Sequence, residues 1–111
     1  MSIADNSKET FAVTTPLYYV NDIPHIGSAY PTIAADVLAR FERLQSKSVL
    51  MITGTDEHGQ KIQRAAQSNG RSPQEYCDQI VPEFISLWQQ LNIQFDRFSR
   101  TTASKHEAIV K

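Results

Sequence analysis

His25, Gly27 and Ser28 stand close together just after an apolar run, and these three residue types suit one task, the holding of a phosphate. An imidazole can donate a hydrogen bond to a phosphate oxygen. Glycine lets the ligand reach the backbone with no Cβ in the way. A serine hydroxyl can donate to the same anion, or it can cap a helix by accepting from an amide two or three residues on. Asp56 is the second candidate, placed just after the apolar run Ser48–Gly54. A carboxylate at the end of a central strand can pair with the ammonium of an amino acid, or cap the helix that follows. Glu57 and His58 have no second cluster of His, Cys or carboxylates at helical spacing beside them, so no protein-bound transition metal is expected.

These side chains need elements to position them. Phe11, Val13 and the pair Tyr18-Tyr19 predict a strand over Phe11–Tyr19, followed by a turn through Asn21-Asp22-Ile23-Pro24. A helix then begins near Gly27-Ser28, with Ser28 as its cap, Pro31 in the first turn, and Ile33, Val37, Phe41 and Leu44 as its apolar stripe. A helix start leaves amides unpaired and carries partial positive charge, which favours an anion. Ser48–Gly54 reads as a parallel strand buried on both faces, and Thr55–Gly59 as its loop. A second helix is predicted over His58–Ser68, with Ile62, Ala65 and Ala66 inward and Asn69-Gly70 as its stop. Ser72-Pro73-Gln74-Glu75 is a helix start in miniature: capping serine, proline first, glutamate third. Its stripe is Tyr76, Ile80, Phe84, Leu87, Trp88 and Leu91, with Phe84, Leu87 and Trp88 assigned to core and a kink expected at Pro82. Ile93, Phe95 and Phe98 suggest a short third strand, and Thr102 or Ser104 the cap of a last helix that stops in mid-pattern. The fold class is α/β with a parallel sheet.

The bulk numbers narrow the function. With 111 residues the chain is one domain or part of one. Eleven basic and 12 acidic side chains leave a net charge of −1, so composition shows no basic surface for gripping nucleic acid. No apolar run reaches membrane-spanning length, and residues 1–10 lack the order of a signal peptide. They read as a disordered lead-in, and a soluble cytoplasmic protein is the default expectation. Cys77 stands alone, so neither a disulfide framework nor a thiolate zinc site is expected.

His25-Ile26-Gly27-Ser28 resembles the HIGH motif of the class I aminoacyl-tRNA synthetases, with serine where the family has a second histidine. The longer stretches TTPLYYVNDIPHIGSAY and TGTDEHGQK resemble the methionyl-tRNA synthetases in particular. They lie about 30 residues apart, as a βαβ unit requires. The resemblance covers residues 11–111 and implies the first part of a Rossmann-like catalytic domain, truncated at the C-terminus. It implies activation of methionine by ATP with Mg²⁺ to methionyl-adenylate, then transfer to tRNA(Met). On this reading His25 and Ser28 are catalytic, and His25, Gly27, Ser28 and Asn21 bind ATP. Asp56 meets the ammonium, while Leu17 and Tyr19 line the methionine pocket or belong to ordinary strand core. Contacts with tRNA, a lysine-rich mobile loop and any zinc-bearing insertion are expected beyond Lys111, so these 111 residues alone are expected to be inactive. Two other functions compete: a small nucleotidyltransferase with an HxGH-like motif, and a non-catalytic interaction domain of the same fold.

Overall fold

Thr10–Tyr19 forms the first strand, β1, in the computed structural model, which describes residues 8–111. Of the predicted lead-in, residues 1–7 lie outside the described residues, and Thr10 already belongs to β1. Then follow α1 (Ile26–Leu44), β2 (Ser48–Asp56), α2 (Gln60–Ser68), α3 (Pro73–Gln90), β3 (Arg97–Arg100) and α4 (Ser104–Val110). The three strands are parallel and lie in the order β1-β2-β3. Helix α1 crosses from β1 to β2, and α2 with α3 crosses from β2 to β3. These are two successive βαβ units, the α/β class expected.

The register of β1 on β2 carries one irregularity. Thr14 pairs with Ile52 but Leu17 with Gly54, so β1 uses one residue more than β2 across Thr15-Pro16. Proline has no N–H to give the ladder, which makes this a natural place for a bulge. The bulge reverses the alternation. Before it Val13 and Thr15 point to the core, and Thr15 Oγ1 lies 2.7 Å from Thr53 Oγ1. After it the inward residues are Tyr18 and Val20.

The core lies on that inward face. Tyr18, Phe84 and Trp88 meet with ring centroids 6.0–6.3 Å apart, among Val20, Met51, Ile62, Ala66 and Ile80. Helix α3 follows the predicted pattern through Trp88, with Leu87 half-buried, whereas Leu91 falls past the helix end and is exposed; the capping box is complete. Glu75 N donates to Ser72 Oγ at 3.2 Å, and Ser72 N donates to the Glu75 carboxylate at 3.1 Å. Such a cap is worth about 0.5–2 kcal/mol. The helix is continuous past Pro82.

Helix α1 departs from expectation. Its buried residues are Ser28, Ala29, Thr32, Ala35, Asp36 and Ala39, whereas Ile33, Val37, Phe41 and Leu44 are exposed. Both stripes have helical spacing. The small side chains face the sheet because they let the helix axis come close to β1 and β2. Hydrogen bonds lock the approach: Tyr18 Oη lies 2.8 Å from Thr32 Oγ1, which donates to the Ser28 carbonyl at 2.8 Å. Asp36 accepts from the Gln94 amide at 2.9 Å, and Asp96 from the Met51 amide at 2.7 Å. These two carboxylates fasten the lead into β3 against α1 and β2.

Other boundaries shift slightly. β2 continues through Gly54 to Asp56, and α2 starts at Gln60 rather than His58. The cap position of α4 is Ala103, with no side-chain bond, so neither Thr102 nor Ser104 caps it. Among the described residues no helix is long and apolar enough to cross a membrane.

Candidate active site

Parallel strands send their carboxyl ends to one edge, and every candidate residue falls at that edge or just beyond it. The β1 bulge decides which side chains share a face. Leu17 pairs with Gly54 and Tyr19 with Asp56, so Leu17, Tyr19 and Asp56 lie on the face opposite the core. Leu17 is 42 % exposed and Tyr19 56 %, so neither packs into the core formed by the described residues. A hollow of about 220 Å³ beside them is lined by Tyr19, His58, Gly59, Gln60 and Lys61. Asp56 is half-buried and accepts from the His58 amide at 3.5 Å. It does not cap α2, whose cap position is Gly59 with φ 120°.

At the start of α1 the cap is His25, not Ser28. His25 is extended (φ −138°, ψ −174°), and its Nδ1 accepts from the Gly27 amide at 3.0 Å. In the neutral ring the proton is then on Nε2, which is left to donate outward. The Ser28 amide bonds to the His25 carbonyl at 2.9 Å. Two first-turn amides are therefore satisfied within the chain, and the exposed imidazole is the remaining polar group at this helix start. A Cβ on residue 27 would come 2.7 Å from His25 Cε1, so the folded-back ring requires glycine there. Ser28 sits in the first turn of α1, buried, where it cannot serve as the cap. Asn21 is exposed, and its carbonyl accepts from Tyr76 Oη at 3.1 Å, tying the turn to α3. Burial, with the Asp22 charge behind it, pushes the Tyr76 phenol up, so it remains a donor at neutral pH.

One cluster at this edge escaped the sequence reading. Glu57 is buried, and its carboxylate accepts from Arg100 (Nη2 2.7 Å, Nε 2.9 Å), Thr55 Oγ1 (2.7 Å) and Thr102 Oγ1 (3.0 Å). Burial alone would raise its pKa. The Arg100 bonds and the two hydroxyls outweigh burial and hold the carboxyl below its ordinary range. Arg100 also donates to Asp78 at 2.7 Å. The alternation Thr53, Thr55, Glu57 was the available signal, since it points Glu57 inward beside an outward Asp56. Nearby, burial and the Glu57 charge push the Cys77 thiol up to about 11. Among the described residues no group of three or more His, Cys, Asp or Glu converges as a metal site.

Comparison with known proteins bears on the family and the fold. The family model described as tRNA synthetases class I (M) matches residues 11–111. A methionine--tRNA ligase of Nostoc sp. is 67% identical over 110 residues, covering 99% of this chain and 21% of the relative. The chloroplastic/mitochondrial methionine--tRNA ligase of Arabidopsis thaliana is 62% identical over 103 residues, covering 93% of this chain and 17% of the relative. Among solved structures, Mycobacterium tuberculosis methionyl-tRNA synthetase in complex with methionyl-adenylate superposes with a TM-score of 0.88 at 42% identity. That match covers 90% of this chain and 20% of the other. The chain thus spans about a fifth of the length of these relatives, and its sheet corresponds to the N-terminal part of their Rossmann-like domain. With its motif-bearing strand edge and a family match over residues 11–111, the chain belongs to the class I (M) tRNA synthetases.

Proposed function

We propose that these residues form the first part of a catalytic domain that activates methionine with MgATP and passes it to tRNA(Met). One observation carries the reading: Leu17, Tyr19 and Asp56 share an open sheet face at the strand edge where α1 begins with His25. Asp56 receives the substrate ammonium, and Leu17 with Tyr19 packs against the thioether chain, which suits aliphatic and aromatic surfaces alike. The methionine carboxylate oxygen attacks the α-phosphorus of ATP, an O–P bond forms, and pyrophosphate leaves. Charge gathers on the phosphate oxygens as it does so, and His25 Nε2–H is aimed outward to meet it. Losing one such donor typically costs about 3–4 kcal/mol of transition-state stabilisation. Gly27 keeps the ring in place, Asn21 belongs to the same phosphate-facing turn, and Ser28 adds a hydroxyl from the first turn of α1. Contacts with tRNA fall to other parts of a full-length ligase, and the cytoplasm is the compartment proposed.

The test is a full-length ligase carrying residues 11–111, either the parent gene product or a chimaera in which they replace the matching segment of the Nostoc enzyme. Methionine-dependent pyrophosphate exchange into ATP should be retained, and should be lost in His25→Ala. A graft that folds but supports no exchange overturns the proposal.

A further inference from the structure

Asp56 has little to hold its own side chain, since the contact it makes is the His58 amide at 3.5 Å. Its neighbours on either side are tied at every level. The Thr55 carbonyl accepts from the Thr101 amide at 3.3 Å, and the Glu57 amide donates to Thr101 Oγ1 at 2.8 Å. The Glu57 carbonyl faces Cys77 Sγ at 3.9 Å. The Glu57 carboxylate is gripped by Arg100, Thr55 and Thr102, and the Arg100 guanidinium is steadied in turn by Asp78. Strand alternation turns Thr55 and Glu57 inward and Asp56 outward, so the clamp fixes the backbone from which the Asp56 carboxylate projects.

We propose that Glu57, clamped by Arg100, is a positioning residue for Asp56 and sets the affinity of the site for the amino group of its substrate; this rests on the ammonium-binding role proposed for Asp56. A buried ion pair is weak evidence for stability, because apolar residues of like volume often do as well. This pair does something an apolar pair would not. It spans from the end of β2 to the end of β3 and fixes one residue, where a shift of about 1 Å can cost about 100-fold in a positioned reaction. Glu57 never touches the substrate on this account. Its effect passes wholly through Asp56.

That dependence is testable with four versions of the full-length ligase: parent, Glu57→Gln, Asp56→Asn and the double variant. The readouts are KM for methionine and KM for MgATP in pyrophosphate exchange. Glu57→Gln should raise the methionine KM about tenfold when Asp56 is present and less than about twofold when residue 56 is asparagine, with the MgATP KM unchanged in both. A rise of equal size in both backgrounds, or a parallel rise in the MgATP KM, would mean general loosening and overturn the inference. If Asp56→Asn alone keeps the parental methionine KM, the ammonium role falls, and the inference with it. If Asp56→Asn raises that KM and the Glu57→Gln effect persists beside it, the inference alone falls. Thr102→Val, which removes one hydroxyl from the clamp, runs through the same cycle should Glu57→Gln not fold. It should give a smaller methionine-only rise that vanishes with Asp56→Asn, and a methionine KM unmoved by Thr102→Val in the folded protein overturns the proposal.

Discussion

The imidazole of His25 folds back over Gly27, its Nδ1 3.0 Å from the Gly27 amide nitrogen, in space that a Cβ on residue 27 would enter. One ring therefore caps α1 with one nitrogen and presents the other outward. The two roles separate by substitution. His25→Asn keeps a good capping side chain, so stability should stay within about 0.5 kcal/mol, while pyrophosphate exchange falls about 100- to 1,000-fold. Gly27→Ala should displace the ring and reduce exchange at least about tenfold, more than its effect on melting would suggest. Exchange at the parental rate in His25→Asn would remove the ring from the chemistry.

Ser28 makes a contrasting case. Because His25 holds the cap position, Ser28→Ala should not show the loss of about 0.5–2 kcal/mol that removal of a cap brings. Paired melting and exchange measurements decide its role. A slowed exchange with unchanged melting supports a contact with phosphate, and a parental exchange rate removes Ser28 from the site.

Gly54 of β2 pairs with Ser99 of β3. A Cβ there would lie 1.9 Å from the Ser99 carbonyl oxygen, a backbone atom that cannot swing aside. Gly54→Ala should destabilise the protein by about 3 kcal/mol, the upper part of the overpacking range, by pushing β3 off the sheet. The midpoint of urea unfolding measures it, and a shift of under about 1 kcal/mol would mean that the strands part easily.

The buried carboxylate gives a pH dependence with a definite sign. Glu57 is held below its ordinary 4.5 in the fold, so the unfolded chain binds its proton more readily. Its contribution is complete above that ordinary value and is lost as pH falls through the lower folded one. The gap in melting temperature between parent and Glu57→Gln should therefore be widest near neutrality and close on acidification below 4.5. A gap independent of pH would show that charge plays no part in it.

Local features were legible in the sequence, and choices between distant surfaces were not. The Ser72–Glu75 capping box and the Tyr76–Trp88 stripe follow from neighbours three and four residues apart, and both appear as read. Helix α1 offered two stripes of equal period, and only the closeness of the sheet selects the small one. The cap on α1 was misassigned because serine outranks histidine as a capping type. What decided it was a pair interaction, a ring that fits only over glycine. The Glu57 clamp joins residues 43 apart in sequence, so nothing local could pair them. Asp56, Leu17 and Tyr19 were visible by type, and their common exposed face needed the sheet register.

The single extra residue at Thr15-Pro16 acts as slack in the strand. The bulge takes it up, so the side chains downstream in β1 face as their partners in β2 do. Removing one residue there would remove the bulge with it and leave Thr14 on Ile52 and Leu17 on Gly54. Leu17 and Tyr19 would stay on the open face with Asp56, and Tyr18 would stay against Phe84 and Trp88. The surface thus tolerates a change of one codon in length, provided that the bulge comes and goes with it.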